Sequence, residues 1–432
     1  MKTVKLIQIV ILVLTLHAGL AAAGFRASVV KVDITPDPDT PHWLAGYYAR
    51  QSTGVHDRLY HRIVVMHDGE KPFVLVSTDV VGFSPVLYDD FAEELERDPG
   101  IGREQLSWTV THTHSAPEVG PPGLGRSFLG ERYQHEWARE YQAFLRDSLS
   151  QGIRKELAGL IPARLAVGSG MSLANINRRA PGPDGPVTPG LNPEGAVDRK
   201  IGLLRLERRD GSPIALIANY AVHGTYLSGR NLEISGDVQE VVASYVEDKL
   251  GVPMLFINGA AGNIAPIYTF SSNFAYITKF NVLLGDRILD ANRSIRSDES
   301  VEIDFEFGEI IVETPKFPGL KWPEDHHHYL RTTESGQELV RLPVRFLKIR
   351  KDTVLWAAPL ELFCEYAIKI RNLSPFPNTL YFGYANGWLG YLPTSVSYGQ
   401  GGYEIRVTPS TERAETDFTE GVVGFLQGMG VD

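Results

Sequence analysis

Alternating apolar and polar residues predict β-strands along most of the chain. Residues 25–36 form one such run that ends at a proline, and residues 62–83 predict two strands joined by an Asp-Gly turn. Similar runs, or short continuous apolar runs, predict the remaining strands: 106–114, 162–170, 201–224, 253–263, 301–314, 353–359 and 379–394. The chain is therefore expected to contain one or more sheets.

Apolar residues at helical spacing predict helices between these strands. Leu87, Phe91 and Leu95 recur every four residues, and Asp-Pro-Gly stops that helix. A longer helix, over roughly residues 131–157, carries its large side chains along one face: Tyr133, Trp137, Tyr141, Phe144 and Leu145. Further helices are predicted at 238–251, within 275–297 and before residue 371. This alternation favours an α/β (mixed α+β) fold with a mixed sheet core flanked by helices.

Two segments interrupt the pattern without dividing the chain. Residues 180–195 are rich in glycine and proline, and residues 314–340 are polar and irregular. We expect both to be excursion loops, because strand patterns resume after them. The sequence shows no internal repeat, so residues 24–432 are expected to form a single large domain.

Composition and charge exclude several classes of protein. The 432 residues are 43% hydrophobic and 22% charged, which is typical of a folded globular protein. The net charge is −10 and no basic stripe occurs, so nucleic acid is not an expected partner. The single cysteine, Cys364, cannot form an internal disulfide and is expected to be a small buried side chain.

The first 23 residues have the layout of a secretory signal peptide. Two lysines precede an apolar run, which ends in small residues that suit cleavage after Ala23. An uncleaved anchor is the alternative, although the apolar run is short for a membrane-spanning helix. The mature chain is expected to be secreted or periplasmic, with no stable membrane span.

Polar or metal-binding residues follow several predicted strands. Two histidines two positions apart, His112 and His114, end one strand, His223 ends another, and Glu361 follows a third. Loops that leave strand ends are where sites assemble in α/β folds, so these side chains are candidates to converge. Imidazole and carboxylate groups are common ligands of catalytic zinc. The alternative is that the histidines only fill space on a sheet face.

A denser group, His326 to His328, lies in a polar stretch that has no strand pattern. We expect this group to be a solvated loop, at most lining the rim of a site, rather than a set of metal ligands.

Taken together, the motifs resemble the catalytic domain of the neutral (non-lysosomal) ceramidases. "VDITP" and "GYY" resemble the opening of that domain, "GVHDRLYHRIVV" its second element, and "THTHSAP" its first metal motif. "NINR", "NYAVHGT", "SGD", "GNIAP", "PLE" and "GYLPT" follow in family order. The ordered resemblance spans nearly the whole chain after residue 23.

The resemblance implies a Zn²⁺ site and its residues. The implied zinc ligands are His112, His223, Glu361 and Tyr391. His114 and Arg178 match residues that line the family's site and orient the scissile group. Tyr403 stands twelve positions beyond Tyr391, as a further family tyrosine does. Asp237, in "SGD", is a candidate partner for a ligand imidazole, with capping of the following helix as the alternative.

The sequence departs from the family pattern at a serine. The ceramidases carry serine near the metal in a G-N/D-x-S-P motif, where this chain has Ala265. Zinc-activated water is therefore expected to attack the substrate directly. Asn263 and backbone N–H groups of the glycine-rich loop are the expected oxyanion donors. The family's C-terminal sandwich domain is also expected to be absent.

The expected function is hydrolysis of an N-acyl amide, in ceramide or a related small-molecule or lipid substrate, by an exported zinc enzyme. One alternative is that the same metal site acts on a water-soluble N-acyl sugar or amino acid, or on another ester or amide. A second alternative is a metal-containing binding protein without turnover, which Ala265 keeps open. The oligomeric state stays open.

Overall fold

The computed structural model describes residues 24–182, 185–297 and 302–430. The predicted signal peptide, residues 1–23, lies outside these ranges. Within them, no helix is both long enough and apolar enough to span a bilayer.

Within the described residues, three large sheets form the core of the molecule. From edge to edge, the N-terminal sheet contains Leu106–Val110, Pro72–Thr78, Tyr60–His67, Arg26–Asp33 and Ile161–Pro162. The central sheet contains Met254–Asn258, Pro213–Tyr220, Lys200–Glu207 and Arg164–Met171. The C-terminal sheet contains Asn378–Phe382, Thr353–Ala357, Glu338–Arg350 and Glu306–Pro315, with Leu330–Thr332 beside Glu338–Arg350. The expectation of a mixed α/β core is confirmed.

Shorter strands pair outside these sheets. Gly54–Val55 pairs with Glu233–Ile234, and Glu361–Leu362 pairs with Tyr391–Leu392. Asn175–Ala180 lies between Ile264–Pro266 and Thr188–Asn192. The pairing of Glu361 with Tyr391 already brings together two residues that the sequence separates by a helix and a strand.

The three large sheets share one topology that the sequence did not reveal. Each has three antiparallel strands in chain order, then a helix, then a fourth strand that pairs in parallel with the third. The three helices are Pro85–Arg97, Asp237–Leu250 and Cys364–Leu373. The topology therefore repeats three times, although the sequence shows no repeat. Backbone pairing can recur without side-chain similarity, because apolar residues of many kinds fill the same core positions.

The remaining α-helices cover the sheets or carry loops. They are Leu124–Phe128, Arg139–Ala158, Asp286–Ser294, Ser395–Gln400, Tyr403–Arg406 and Ala414–Met429. Single turns of 3₁₀-helix occur at Arg103–Gln105 and Gly130–Tyr133, a longer one at Glu324–Tyr329, and a π-helical turn at Asn281–Gly285.

Several predicted boundaries differ from the structure. The helix predicted over 131–157 begins only at Arg139, and residues 130–133 form a separate short turn. Phe144, predicted to lie on the packed face, is 45% exposed. The excursion loops contain strands, since Thr188–Asn192 lies in the first and Glu338–Arg350 begins in the second. The helix Ala414–Met429 was not predicted.

The carboxyl ends of the parallel strand pairs meet in one region. Asn258, the last residue of its strand, donates from Nδ2 to the carbonyl of Thr111 (3.1 Å) and accepts the Val222 N–H at Oδ1 (3.1 Å). Its own carbonyl accepts the Gly383 N–H (2.8 Å). Thr111 and Val222 immediately precede His112 and His223, so one buried amide joins the loops that carry both histidines.

Candidate metal centre

Three histidines converge where the N-terminal and central sheets meet. His112 and His114 follow the strand Leu106–Val110, and His223 follows Pro213–Tyr220. The Nε2 atom of His112 lies 3.1 Å from that of His223 and 3.2 Å from that of His114. The His223 and His114 Nε2 atoms are also 3.2 Å apart. The three nitrogens therefore form a nearly equilateral triangle.

The backbone around this triangle is closely packed. His112 has a φ of 64°, which is costly for a non-glycine residue and is kept only where surrounding contacts impose it. Gly224 approaches so closely that a Cβ there would lie 2.3 Å from the His112 carbonyl oxygen. A Cβ at Gly46 would lie 2.4 Å from His114 Nδ1. These two glycines allow the histidine loops to meet.

Hydrogen bonds determine which nitrogens of two histidines face the triangle. His112 Nδ1 contacts the Val81 carbonyl and His223 Nδ1 lies 3.1 Å from the Ala261 carbonyl. A carbonyl can only accept, so each Nδ1 carries the proton and each Nε2 presents a lone pair. Burial lowers the pKa of both His114 and His223, which favours neutral imidazoles. Neutral imidazole is the metal-binding form.

Glu361 completes one side of this cluster. Its Oε2 lies 3.4 Å from His112 Nε2 and 3.7 Å from His223 Nε2, while Oε1 accepts a hydrogen bond from Trp388 Nε1 (2.9 Å). Oε2 is buried and has no hydrogen-bond partner. Burial opposes ionisation of this carboxyl, but the positive charge of Arg178 favours the carboxylate, and the pKa of Glu361 is lowered overall.

A divalent cation fits this arrangement. Two nitrogens that bind tetrahedral zinc at about 2.0–2.1 Å are separated by about 3.3 Å, close to the distances between the Nε2 atoms here. Without a cation, lone pairs of the neutral imidazoles face one another and the unpartnered Glu361 oxygen. The three Nε2 atoms and the Glu361 oxygen would then all be buried polar atoms without a hydrogen bond, which lowers the free energy of unfolding. The buried cluster of His112, His114 and His223 can therefore hold a metal ion.

A protein-family comparison matches the part of the chain that carries the three histidines. Residues 25–264 match the family described as "Neutral/alkaline non-lysosomal ceramidase, N-terminal". The chain belongs to this family. The matched segment contains all three clustered histidines, while Glu361 and Tyr391 lie beyond it.

Individual ceramidases align with about half of this chain. The neutral ceramidase of Oryza sativa subsp. japonica is 25% identical over 244 residues, which cover 54% of this chain and 30% of that protein. Neutral ceramidase A of Dictyostelium discoideum is 28% identical over 208 residues, covering 45% and 28%. The Mycobacterium tuberculosis (strain ATCC 25618 / H37Rv) neutral ceramidase is 25% identical over 215 residues, covering 47% and 32%. The chain thus spans about a third of these relatives' length.

The fold likeness extends further along the chain. The crystal structure of neutral ceramidase from Pseudomonas aeruginosa superposes with a TM-score of 0.75 at 18% identity. The superposition covers 94% of this chain and 75% of that one. A structure titled "Ceramidase complexed with C2" superposes with a TM-score of 0.76, also at 18% identity. The ceramidase fold therefore includes the region of Glu361 and Tyr391.

The structure brings three more of the expected residues to this centre: Tyr391, Arg178 and Tyr403. Tyr391 is buried, and its hydroxyl accepts a hydrogen bond from an Arg178 Nη (3.0 Å). Arg178 also forms an ion pair with Glu404 (3.1 Å), so its guanidinium has a partner at both Tyr391 and Glu404. Tyr403 packs edge-on against Tyr391 with ring centroids 5.8 Å apart. Burial raises the pKa of Tyr391 well above its ordinary value and that of Tyr403 to about 12.

Three expected residues make contacts that differ from those implied by the resemblance. His114, assigned to the substrate by the resemblance, points its Nε2 into the triangle as closely as the other two histidines do. The Asn263 carbonyl accepts the Arg178 N–H (2.8 Å), but the side-chain amide accepts the Cys364 N–H (2.9 Å) and donates to Glu365 (2.8 Å). Asp237 accepts the N–H groups of Tyr226 (3.2 Å) and Leu227 (3.0 Å) rather than binding an imidazole.

A cleft leads from solvent to the cluster. It contains about 730 Å³ of empty space, measured out to open solvent, and His112, His114, Glu361, Tyr391 and Tyr403 line it. One part of its wall is apolar: Val81, Phe83, Val119, Pro121, Leu129 and Trp388. Arg132 and Glu118 line it as well. A ligand with an apolar chain and one polar end suits these walls.

Sequence reasoning missed several residues that organise the centre. Trp388 donates to Glu361, Tyr384 packs against His112 at a tilt with ring centroids 4.2 Å apart, and Asn258 joins the histidine loops. Tyr384 follows its parallel strand at the same offset as His112 follows its own, and both have positive φ. Tyr384 therefore occupies the position in the C-terminal sheet that His112 occupies in the N-terminal sheet. The sequence alone could not show this, because the shared topology of the sheets is visible only in the structure.

Proposed function

We propose that this chain is an exported, zinc-dependent amidohydrolase that cleaves an N-acyl amide such as ceramide. In this proposal residues 1–23 are a leader and residues 24–432 form one hydrolase domain. The observation that carries it is the triangle of three Nε2 atoms beside the unpartnered Glu361 oxygen at the base of the cleft. Membership in the ceramidase family supports the amide bond as the target.

The proposed zinc ligands are His112, His223, Glu361 and Tyr391, with His114 in reach of the same position. When bound, zinc polarises an acyl carbonyl and lowers the pKa of water. Arg178 holds the Tyr391 hydroxyl and carries a positive charge, because Tyr391 and Glu404 raise its pKa despite burial. Its role is to orient Tyr391 and favour negative charge beside the scissile carbonyl.

Tyr403 is the proposed hydrogen-bond donor to the substrate. Burial keeps its hydroxyl protonated at neutral pH, and it lies in the cleft wall beside Tyr391. From there it can donate to the carbonyl or to the departing nitrogen. Asn263 has no part in this scheme because both ends of its amide are engaged elsewhere.

An N-acyl amino acid is the second candidate substrate, and Arg132 favours it. This residue lines the cleft, and its Nε is buried without a hydrogen-bond partner. Its guanidinium lies 5.0 Å from the Tyr133 ring centroid. A carboxylate on the amine portion of the substrate would satisfy it by a bidentate pair. Ceramide carries no such group.

Hydrolysis of paired substrates tests both candidates. Ceramide, an N-acyl amino acid and an uncharged N-acyl amine with the same chain are compared for wild type and His112→Ala. The proposal expects His112→Ala to lower kcat/KM for every cleaved substrate by at least roughly 100-fold. His327→Ala, which alters an exposed histidine, is the control and retains wild-type rates. No cleavage of any amide by metal-replete wild type would contradict the proposal.

Arg132→Met separates the two substrate classes. If the amino acid is the substrate, this variant raises KM for the N-acyl amino acid about 10-fold or more and leaves the uncharged amine unchanged. Equal effects on both substrates would exclude carboxylate recognition by Arg132.

A further inference from the structure

A second cluster of reactive side chains borders the same cleft, away from the histidine triangle. Ser84 Oγ lies 3.1 Å from His326 Nε2, and His326 Nδ1 lies 2.7 Å from Asp325 Oδ1. Ser84 lines the cleft wall. Hydroxyl, imidazole and carboxylate thus stand in the order of a nucleophile, its base and the group that orients the base.

The contacts determine the proton positions in this cluster. An ionised carboxylate only accepts, so the proton of a neutral His326 ring lies on Nδ1 and points at Asp325. Nε2 then carries a lone pair and accepts from the Ser84 hydroxyl. Burial lowers the pKa of His326 despite the opposing hydrogen bond to Asp325, which favours a neutral ring. The arrangement is the one in which imidazole can remove the serine proton.

Ser84 lies at the N-terminus of a helix, which affects the charge that its hydroxyl oxygen can carry. Ser84 caps the helix Pro85–Arg97, and its Oγ accepts the Val86 N–H (3.3 Å). The N-terminus of a helix stabilises negative charge, and so would favour an alkoxide at this oxygen. Ser84 and His326 are both buried, whereas Asp325 is half exposed.

A glycine makes room for the pair. A Cβ at Gly123 would lie 2.7 Å from His326 Nε2 and 3.1 Å from Ser84 Oγ, and Gly123 has a φ of 52°. The backbone here adopts a conformation that favours glycine. The close contact keeps the loop of residues 120–123 against the serine and the imidazole.

We propose that Ser84, His326 and Asp325 form a serine esterase centre that acts on carboxylic esters entering the cleft. The Ser84 proton moves to His326 Nε2 as Oγ bonds to the acyl carbon. The bond from that carbon to the alcohol oxygen then breaks, and the departing alcohol takes the proton from Nε2. Water attacks the acyl-serine, giving its proton to Nε2, and the carboxylic acid leaves as Oγ regains a proton.

This activity is separate from the amide hydrolysis proposed above. It needs no metal, oxidant or other co-reactant, since ester and water balance the reaction. A role of Ser84 as a helix cap alone is the competing explanation, because serine is among the preferred capping residues. The two explanations differ in whether the hydroxyl reacts.

Covalent labelling of the purified full-length protein tests the proposal. A fluorophosphonate probe reacts with activated serines, and peptide mass spectrometry then locates the adduct. The expected result is an adduct on Ser84 that forms equally in wild type and in His327→Gln, an exposed substitution, and much more slowly in His326→Gln. Absence of an adduct at Ser84, or labelling spread over many serines, would overturn the proposal.

Matched variants separate capping from catalysis. Ser84→Asn keeps a good capping residue but has no nucleophile, and His326→Gln removes the base. Both are expected to lower hydrolysis of a p-nitrophenyl ester by at least roughly 100-fold. His327→Gln, one residue away and exposed, is the control. A Ser84→Asn protein that is folded by circular dichroism and retains the esterase rate would refute the assignment.

Discussion

At the scale of single residues, the position of each imidazole depends on neighbouring residues that would neither bind the metal nor react. Gly46 is the clearest case, because any side chain there would overlap the His114 ring. The resemblance implied His112 and His223 as ligands but did not indicate that His114 points to the same place. Its direction depends on Gly46 and on Tyr47, whose ring lies 5.1 Å away.

Gly46→Ala is therefore expected to displace His114 and impair the centre. A displacement of the order of 1 Å at a reacting centre lowers kcat/KM by roughly 100-fold, measured on the best N-acyl substrate. Gly211→Ala is the matched control, since Gly211 has a similar φ (87° against 92°) and no atom within 4 Å of its added Cβ. Equal activity of the two variants would show that His114 does not need this position.

At the scale of elements, the ends of the parallel strands bring the residues of the centre together. Each large sheet ends its parallel pair near the same region, and Asn258 joins the loops before His112 and His223. Sequence analysis did expect residues at strand ends to converge. It could not identify Asn258, because a lone asparagine after an apolar strand has no pattern to distinguish it.

Asn258→Ala is expected to weaken metal binding as well as folding. It leaves the Thr111 carbonyl and the Val222 N–H without partners, which costs about 1–3 kcal/mol of unfolding free energy for each buried group. Asn219→Ala is the control, since Asn219 Nδ2 bridges the Ile257 and Tyr381 carbonyls in a similar way. Both variants should lose stability in urea, but only Asn258→Ala should lose metal affinity. Equal metal affinity in the two would refute this positioning role.

At the scale of the whole molecule, most strands were predicted and their grouping into sheets was not. A short continuous apolar run identifies a strand such as Tyr60–His67, both faces of which are buried. Which strands pair depends on distant contacts, such as that between Pro72–Thr78 and Leu106–Val110 across an intervening helix. The threefold recurrence of topology was therefore invisible in the sequence.

Acid stability depends on His61, which links the N-terminal sheet to the helix Arg139–Ala158. It is buried between Thr78 Oγ1 (2.8 Å) and the Leu145 carbonyl (3.0 Å), and burial lowers its pKa to about 4. The unfolded chain protonates this histidine near pH 6.5, so stability falls as the pH drops from 6.5 towards 4. The expected loss is about 3 kcal/mol.

Urea unfolding at pH 7 and pH 4.5 measures this effect. His61→Gln should lose less stability between the two pH values than wild type does. His327→Gln, an exposed substitution, should behave as wild type. Identical pH dependence in His61→Gln and wild type would show that His61 does not govern acid unfolding.

The central claim is that one cation is held by residues that follow strands of all three large sheets. Zinc K-edge X-ray absorption, with metal quantification of the purified chain, tests it most directly. We predict one zinc per chain, bound only by nitrogen and oxygen at about 2.0–2.1 Å, and its loss in His112→Ala and His223→Ala. A chain without stoichiometric metal, or metal that remains in both variants, would contradict the account.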